Sequence, residues 1–228
     1  MPCVADGALA YVRELERRDE AIASSLETLG SLRGRTRAIG AEATRLAAVL
    51  DRFPHEQEAA DHAVDRAEDD VVRARSDLDA AEEQLRRGRR DRESREAAVE
   101  SARREAERAA EELASARMHS VAVGEAQHAA ERESDAVVAA ALALAREVAG
   151  APRLGSRTPA APKAGLGGVS DWAHRADGAL LLARSGLDDE REAVVREANE
   201  LAESVLGEPP LPGGVRRIRE QVEARDVS

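Results

Sequence analysis

The chain has 228 residues, 35% of them charged, a net charge of −11 and three aromatic side chains, Tyr11, Phe53 and Trp172. So few large rings exclude an ordinary compact globule and favour helices seamed by alanine, leucine and valine. The acidic balance favours solubility over attraction to polyanions, and a lone cysteine, Cys3, excludes an internal disulfide and a cysteine metal cluster.

The N-terminal stretch MPCVADGALAYVRELE has no basic leader followed by an apolar core, so no secretory signal is expected. The longest apolar run, AVVAAALALA (136–145), falls short of the roughly 20 residues that a membrane span needs. These features predict a cytoplasmic protein with no membrane partner. The Ala/Arg/Gly/Val-rich composition, with Lys163 as the only lysine, points to a GC-rich bacterial source.

The first predicted helix covers about 7–52. Leu15, Ile22, Leu29, Ala43 and Leu50 form one heptad row, and Leu32, Ile39 and Leu46 the other. Gly30, Gly34 and Gly40 each weaken it by roughly 1 kcal/mol relative to alanine, so a bend or fray is expected near 30–34. DRFPHE (51–56) then reads as a turn built on Phe53 and Pro54.

The second predicted helix, 55–149, contains no proline and holds one heptad phase throughout. One row starts Val64, Val71, Leu78, Leu85 and the other Ala60, Ala67, Ala74, Ala81. Folding the chain back at Phe53–Pro54, with facing residue numbers adding to 110, sets Leu46 on Val64, Ile39 on Val71 and Leu32 on Leu78. Large often faces small, which suits close packing. The expected fold is all-α: a long antiparallel coiled-coil hairpin with a small C-terminal helical cluster. A rival treats RRGRRDRES (86–94) as a loop between helices 56–85 and 95–149. Facing numbers then add to 180, and Leu78 meets Ala102. A loop has no reason to preserve heptad phase, so the continuous helix, with a hinge at most at 86–94, is preferred.

Residues 136–150 are apolar on more than one face, which predicts more than one neighbour. The Pro/Gly/Ala-rich stretch 150–169 reads as a flexible linker. Region 170–206 reads as two helices, about 171–184 and 187–206, broken at Ser185–Gly186 and folded over 136–149. GEPPLPGG (207–214) is a second linker, and VRRIREQVEARD (215–226) a short terminal helix.

Motifs that carry chemistry are sparse. His55 and His62 stand two helical turns apart, too far to share an ion, and the His-Glu-x-x-His spacing is missing. His119, Glu125 and His128 come closer but lack a fourth ligand. No phosphate-binding loop occurs, GLGG (165–168) is not a dinucleotide fingerprint, and the G-x-S-x-G elbow is absent. The carboxylates sit where they serve as i,i+4 partners along helices. No catalytic, cofactor-binding or metal residue is assigned, and neither a cofactor nor enzymatic activity is expected.

The main candidate site is basic. RRGRRDRESR (86–95) carries Arg86, Arg87, Arg89, Arg90, Arg92 and Arg95. In the 110 pairing, Arg13, Arg17 and Arg18 lie at the same level. Together they form a candidate band for an anion or an acidic partner. The alternative is a solvated turn, neutralised by Glu14, Glu16, Asp19, Glu20, Asp91 and Glu93, with arginine stems over the seam. Without interleaved aromatic residues, any nucleic-acid binding would be backbone-directed. The heptads resemble those of structural-maintenance and spectrin-type coiled coils, a likeness that carries no site. The expected function is that of a non-catalytic intracellular coiled-coil scaffold, spacer or partner-binding protein, with residual apolar surface along 99–130 available for a homodimer. The alternatives are a polyanion-associated factor and a helical accessory subunit of an enzyme complex.

Overall fold

Pro54 does not reverse the chain. In the computed structural model, which describes residues 3–88, 91–207, 209–211 and 213–226, α1 (Cys3–Leu50) runs through Asp51 and Arg52 into α2 (Phe53–Arg87). The Asp51 N–H donates to the Ala47 carbonyl at 3.0 Å and the Glu56 N–H to the Arg52 carbonyl at 3.1 Å. Both bonds are helical in spacing, and Arg52 has helical angles (φ −84°, ψ −31°). Pro54 sits in the first turn of α2, where its missing N–H costs nothing and its fixed φ fits. Phe53 is buried with Ala60, Val123 and Ala130. The expected turn at 51–56 is therefore corrected: α2 carries on where α1 stops.

The reversal lies at 88–91. Gly88 is extended (φ −102°, ψ 128°), and Asp91 takes a positive φ of 57°. The Arg95 guanidinium donates to the Gln84 carbonyl at 3.1 Å, closing the last turn of α2. A Cβ on Gly88 would lie 0.7 Å from that guanidinium nitrogen. Glycine at this point thus makes room for an arginine that caps the helix. α3 follows as Arg92–Ala149. The expected continuous helix 55–149 is two helices, and the reading with a loop at 86–94 is the nearer description. Heptad phase survives the turn because both helices must present their rows to a common seam. The chain is all-α, with an antiparallel coiled-coil hairpin and a C-terminal helical cluster; the correction concerns which segments form the hairpin.

The chain divides into two compact units, Arg45–Ala136 on the one hand and Met1–Thr44 with Val137–Ser228 on the other. In the Arg45–Ala136 unit, the end of α1 and the whole of α2 run antiparallel to α3. Arg45 meets Glu133 at 3.1 Å, Gln57 meets Ser120 at 3.1 Å and Glu68 meets Arg117 at 2.7 Å. Partner numbers fall along α3 as they rise along α1 and α2, as an antiparallel pair requires. Small residues make the seam: Ala60, Ala102, Ala109 and Ala130 are buried, together with Phe53, Val71 and Val123. Leu78, Leu85, Val99 and Leu113 are only half-buried, because two helices alone cannot enclose large side chains from every direction.

The other unit is a bundle of four helical segments. α4 (Gly165–Leu206) runs antiparallel to α1. Asp19 pairs with Arg191 at 2.7 Å, and Arg33 with Asp177 at 2.7 Å. α5 (Val215–Asp226) joins α1 through Glu223–Arg13 at 2.9 Å and Arg219–Glu16 at 3.1 Å. The last turns of α3 meet α1 through Glu147–Arg35 at 2.6 Å. Leu15, Leu29, Trp172, Leu180 and Ile218 are fully buried. α4 is one helix, not two. Gly186 sits between buried Ala183 and Leu187, and a glycine penalty of about 1 kcal/mol is smaller than the roughly 1.5–3 kcal/mol gained by each buried leucine or valine. α4 also begins within the expected linker, and its inter-helix ion pairs run chiefly to α1. α1 is unbroken through Gly30 and Gly34. Gly207, left-handed at φ 76°, ends α4. Among the described residues, no helix is long and apolar enough to cross a membrane.

Candidate functional site

The structure distributes the candidate arginines between the two units. Arg13, Arg17 and Arg18 belong to the α1–α4–α5 bundle, where they meet Glu223 at 2.9 Å, Glu14 at 3.1 Å and Glu197 at 3.6 Å. Arg86, Arg87, Arg92 and Arg95 belong to the hairpin unit. Arg86 reaches Glu82 at 3.3 Å, Arg87 reaches Glu83 at 2.6 Å and Arg92 reaches Glu96 at 2.8 Å, while Arg95 caps α2. Arg89 and Arg90 lie outside the described residues. The carboxylates that meet the described tip arginines are therefore i,i+4 helix neighbours, not the α1 acids that the 110 pairing would have supplied. Such exposed pairs contribute little to stability; their effect is to cancel local charge.

A polar groove of about 300 Å³ lies between α1 and α4, lined by Arg37, Thr44, Ser170, His174 and Asp177 among others. Ser170, His174 and Asp177 share one face of α4 at helical spacing, an order of residue types that nucleophilic catalysis also uses. Here Asp177 accepts from the Arg33 Nε at 2.7 Å and the Arg37 Nε at 2.9 Å. Ser170 Oγ lies 3.1 Å from Thr44 Oγ1. These side chains clamp α4 to α1. Burial pushes the Asp177 pKa up, but hydrogen bonds and charge from Arg33 and Arg37 outweigh it and hold the carboxyl below its ordinary value. Because the folded pKa is depressed, this stabilisation is complete above the unfolded value of about 4 and is lost as pH falls through the lower folded one. Acid titration followed by circular dichroism should therefore show the bundle weakening below about pH 4. Asp177→Asn should cost about 1–2 kcal/mol at neutral pH and flatten that part of the acid dependence. Among the described residues, no group of three or more His, Cys, Asp or Glu side chains is placed to share a metal ion.

The third feature is the outer face of α3, on the side away from the seam. Residues 113–130, LASARMHSVAVGEAQHAA, carry only Arg117 and Glu125 as charged residues in a chain that is 35% charged. Arg117 is already engaged with Glu68 at 2.7 Å. Met118 is 69% exposed and Val121 61%. Ala114, Ala122, Ala126 and Ala129 are exposed beside them. One helical turn to either side, charge returns as Glu107, Arg108 and Glu111 before it and Glu131, Arg132 and Glu133 after it. A window count of charge along the sequence would have singled out 113–130; heptad reading alone sees only the inward face. In comparisons with known proteins, no family model, no curated protein and no solved structure matches the chain.

Proposed function

We propose that the protein is a non-catalytic coiled-coil scaffold or spacer that meets its partners, a second copy of the chain included, through helix sides and not through a pocket. The observation that supports this reading is the sparsely charged outer face of α3 at 113–130, where Met118 and Val121 stand exposed. Large apolar side chains grouped on one helix face, rimmed by charge, suit another helix. The described arginines that flank the reversal between α2 and α3 offer a polyanion-associated role less support, since they are engaged with Glu82, Glu83, Glu96 and the Gln84 carbonyl.

Photo-crosslinking tests this directly. A benzophenone amino acid at position 118, in the cells that make the protein, should give a protein adduct that is absent when the probe sits at exposed Arg75 on α2. No adduct from position 118 would overturn the reading.

A further inference from the structure

We infer that the outer face of α3 is a self-association surface on which a second copy of this chain packs antiparallel, about a two-fold axis between His119 and Ser120. The inference rests on the scaffold reading and specifies its partner. The face is itself a heptad seam. Glu107, Glu111, Ala114, Met118, Val121, Glu125, His128 and Arg132 follow one another in alternating steps of four and three, the spacing of a coiled-coil contact row. All eight are exposed and lie in the hairpin unit. α2 packs on the other side of α3 and borders this row only at Val121, across a shallow groove that Asp61, Val64 and Asp65 also line, so no helix of the unit covers the row.

Charge selects the occupant and its direction. With the two-fold between His119 and Ser120, Met118 meets Val121 of the second copy and forms a small apolar centre. Glu111 then meets His128 of the second copy, and Glu107 meets Arg132 of the second copy. One step further along the row in each direction, Arg104 falls opposite Asp135 of the second copy. No like charges face each other at any of these levels. Within one chain, neither Glu107 nor Arg132 has an ion-pair partner among the described residues.

Neighbouring registers fail. A one-heptad slip in one direction places Glu107 against Glu125 of the second copy, and a slip in the other places Glu111 against Asp135 of the second copy. A parallel, in-register pair sets every charge against its own copy. Like-charge juxtaposition is the usual way in which a coiled coil rejects wrong registers and orientations. A two-fold contact is also self-complementary, so one surface patch suffices. The apolar centre is small, so the association should be weak and salt-sensitive.

Analytical ultracentrifugation of the full chain at low salt should show monomer near about 1 μM giving way to dimer near about 100 μM. Met118→Asp brings two carboxylates together at the axis and should raise the dissociation constant at least about tenfold. Its helical content should not change, because Met118 is exposed. The register is tested by charge reversal: Glu107→Arg should weaken the dimer, and Arg132→Glu added to it should restore the original affinity. A chain that stays monomeric throughout, a Met118→Asp dimer as tight as the parent, or a double reversal that fails to recover would each overturn the inference. If position 118 crosslinks to another protein but never to its own copy, the scaffold reading stands and the self-association surface falls.

Discussion

Trp172→Ala is expected to destabilise the α1–α4–α5 bundle by about 3–5 kcal/mol, the usual cost of removing a fully buried large aromatic side chain. Trp172 is 0% exposed and is the only tryptophan in the chain. It sits on α4 among Val169, Ala173 and Ala176, which are also buried. Protein cores are packed too closely to collapse fully around a lost ring, so much of the cavity should persist. Urea titration followed by circular dichroism measures the loss. Trp172→Phe, which keeps most of the volume, should recover the larger part of it. Thr36→Val is the natural contrast. Thr36 is also 0% exposed, and its hydroxyl has no hydrogen-bond partner among the described residues. Replacing that hydroxyl with a methyl of the same shape removes a buried, unpaired polar group and should be neutral or stabilising by about 1 kcal/mol. Two fully buried positions in one bundle should therefore respond with opposite sign. A Trp172→Ala variant within about 1 kcal/mol of the parent would mean that the bundle core is not packed as described.

Helix existence and core rows were legible in the sequence because heptad spacing is a local signal. Leu15, Ile22, Leu29, Leu32, Ala43 and Leu46 are buried as their spacing predicts, while Ile39 and Leu50 of the same rows are half-buried. Pairing was harder, because any two rows align in some register and spacing does not say which do. Two residue types settle the matter, and both allow more than one reading. Pro54 suits a turn and equally suits the first turn of a helix; the second holds, with helical bonds on either side of it. The actual turn was marked where Gly88, Arg92 and Arg95 occupy three successive seam positions, a run with no apolar side chain to bury. Preserved phase beyond it suggests continuity, although an antiparallel return to the same seam preserves phase as well. Gly186 misled in the opposite direction: its backbone penalty was visible in the sequence, but the burial of Ala183 and Leu187 that overrides it was not. The basic band, assembled across the 110 pairing, depended on that register, and the structure places its two halves in separate units. The outer face of α3 needed a different measurement, charge density along the chain, which heptad periodicity does not contain.

Gly40→Leu is expected to cost about 3 kcal/mol, and the smaller Gly40→Ala change shows why. Alanine is the better helix former by about 1 kcal/mol, so on propensity alone the substitution in α1 would stabilise. Yet a Cβ at position 40 would lie 2.7 Å from the Cβ of Ala173 on α4. Neither atom can rotate away, since both are fixed to helical backbone. The helices must part instead, which loosens the contacts that Ala43, Trp172 and Ala176 make on either side and costs about 1–3 kcal/mol. The steric cost should win, leaving Gly40→Ala about 1 kcal/mol less stable than the parent. Leucine adds atoms that no rotamer can place in that gap, because the collision is already at Cβ. If the close approach is the cause, Ala173→Gly in the Gly40→Ala background should restore clearance and recover stability beyond the sum of the two single changes, a non-additivity that urea titration of the four proteins reads directly. A Gly40→Ala variant with a raised unfolding midpoint would mean that α1 and α4 have room between them, and the clamp formed beside this contact by Arg33, Arg37 and Asp177 would then have to hold the helices together without it.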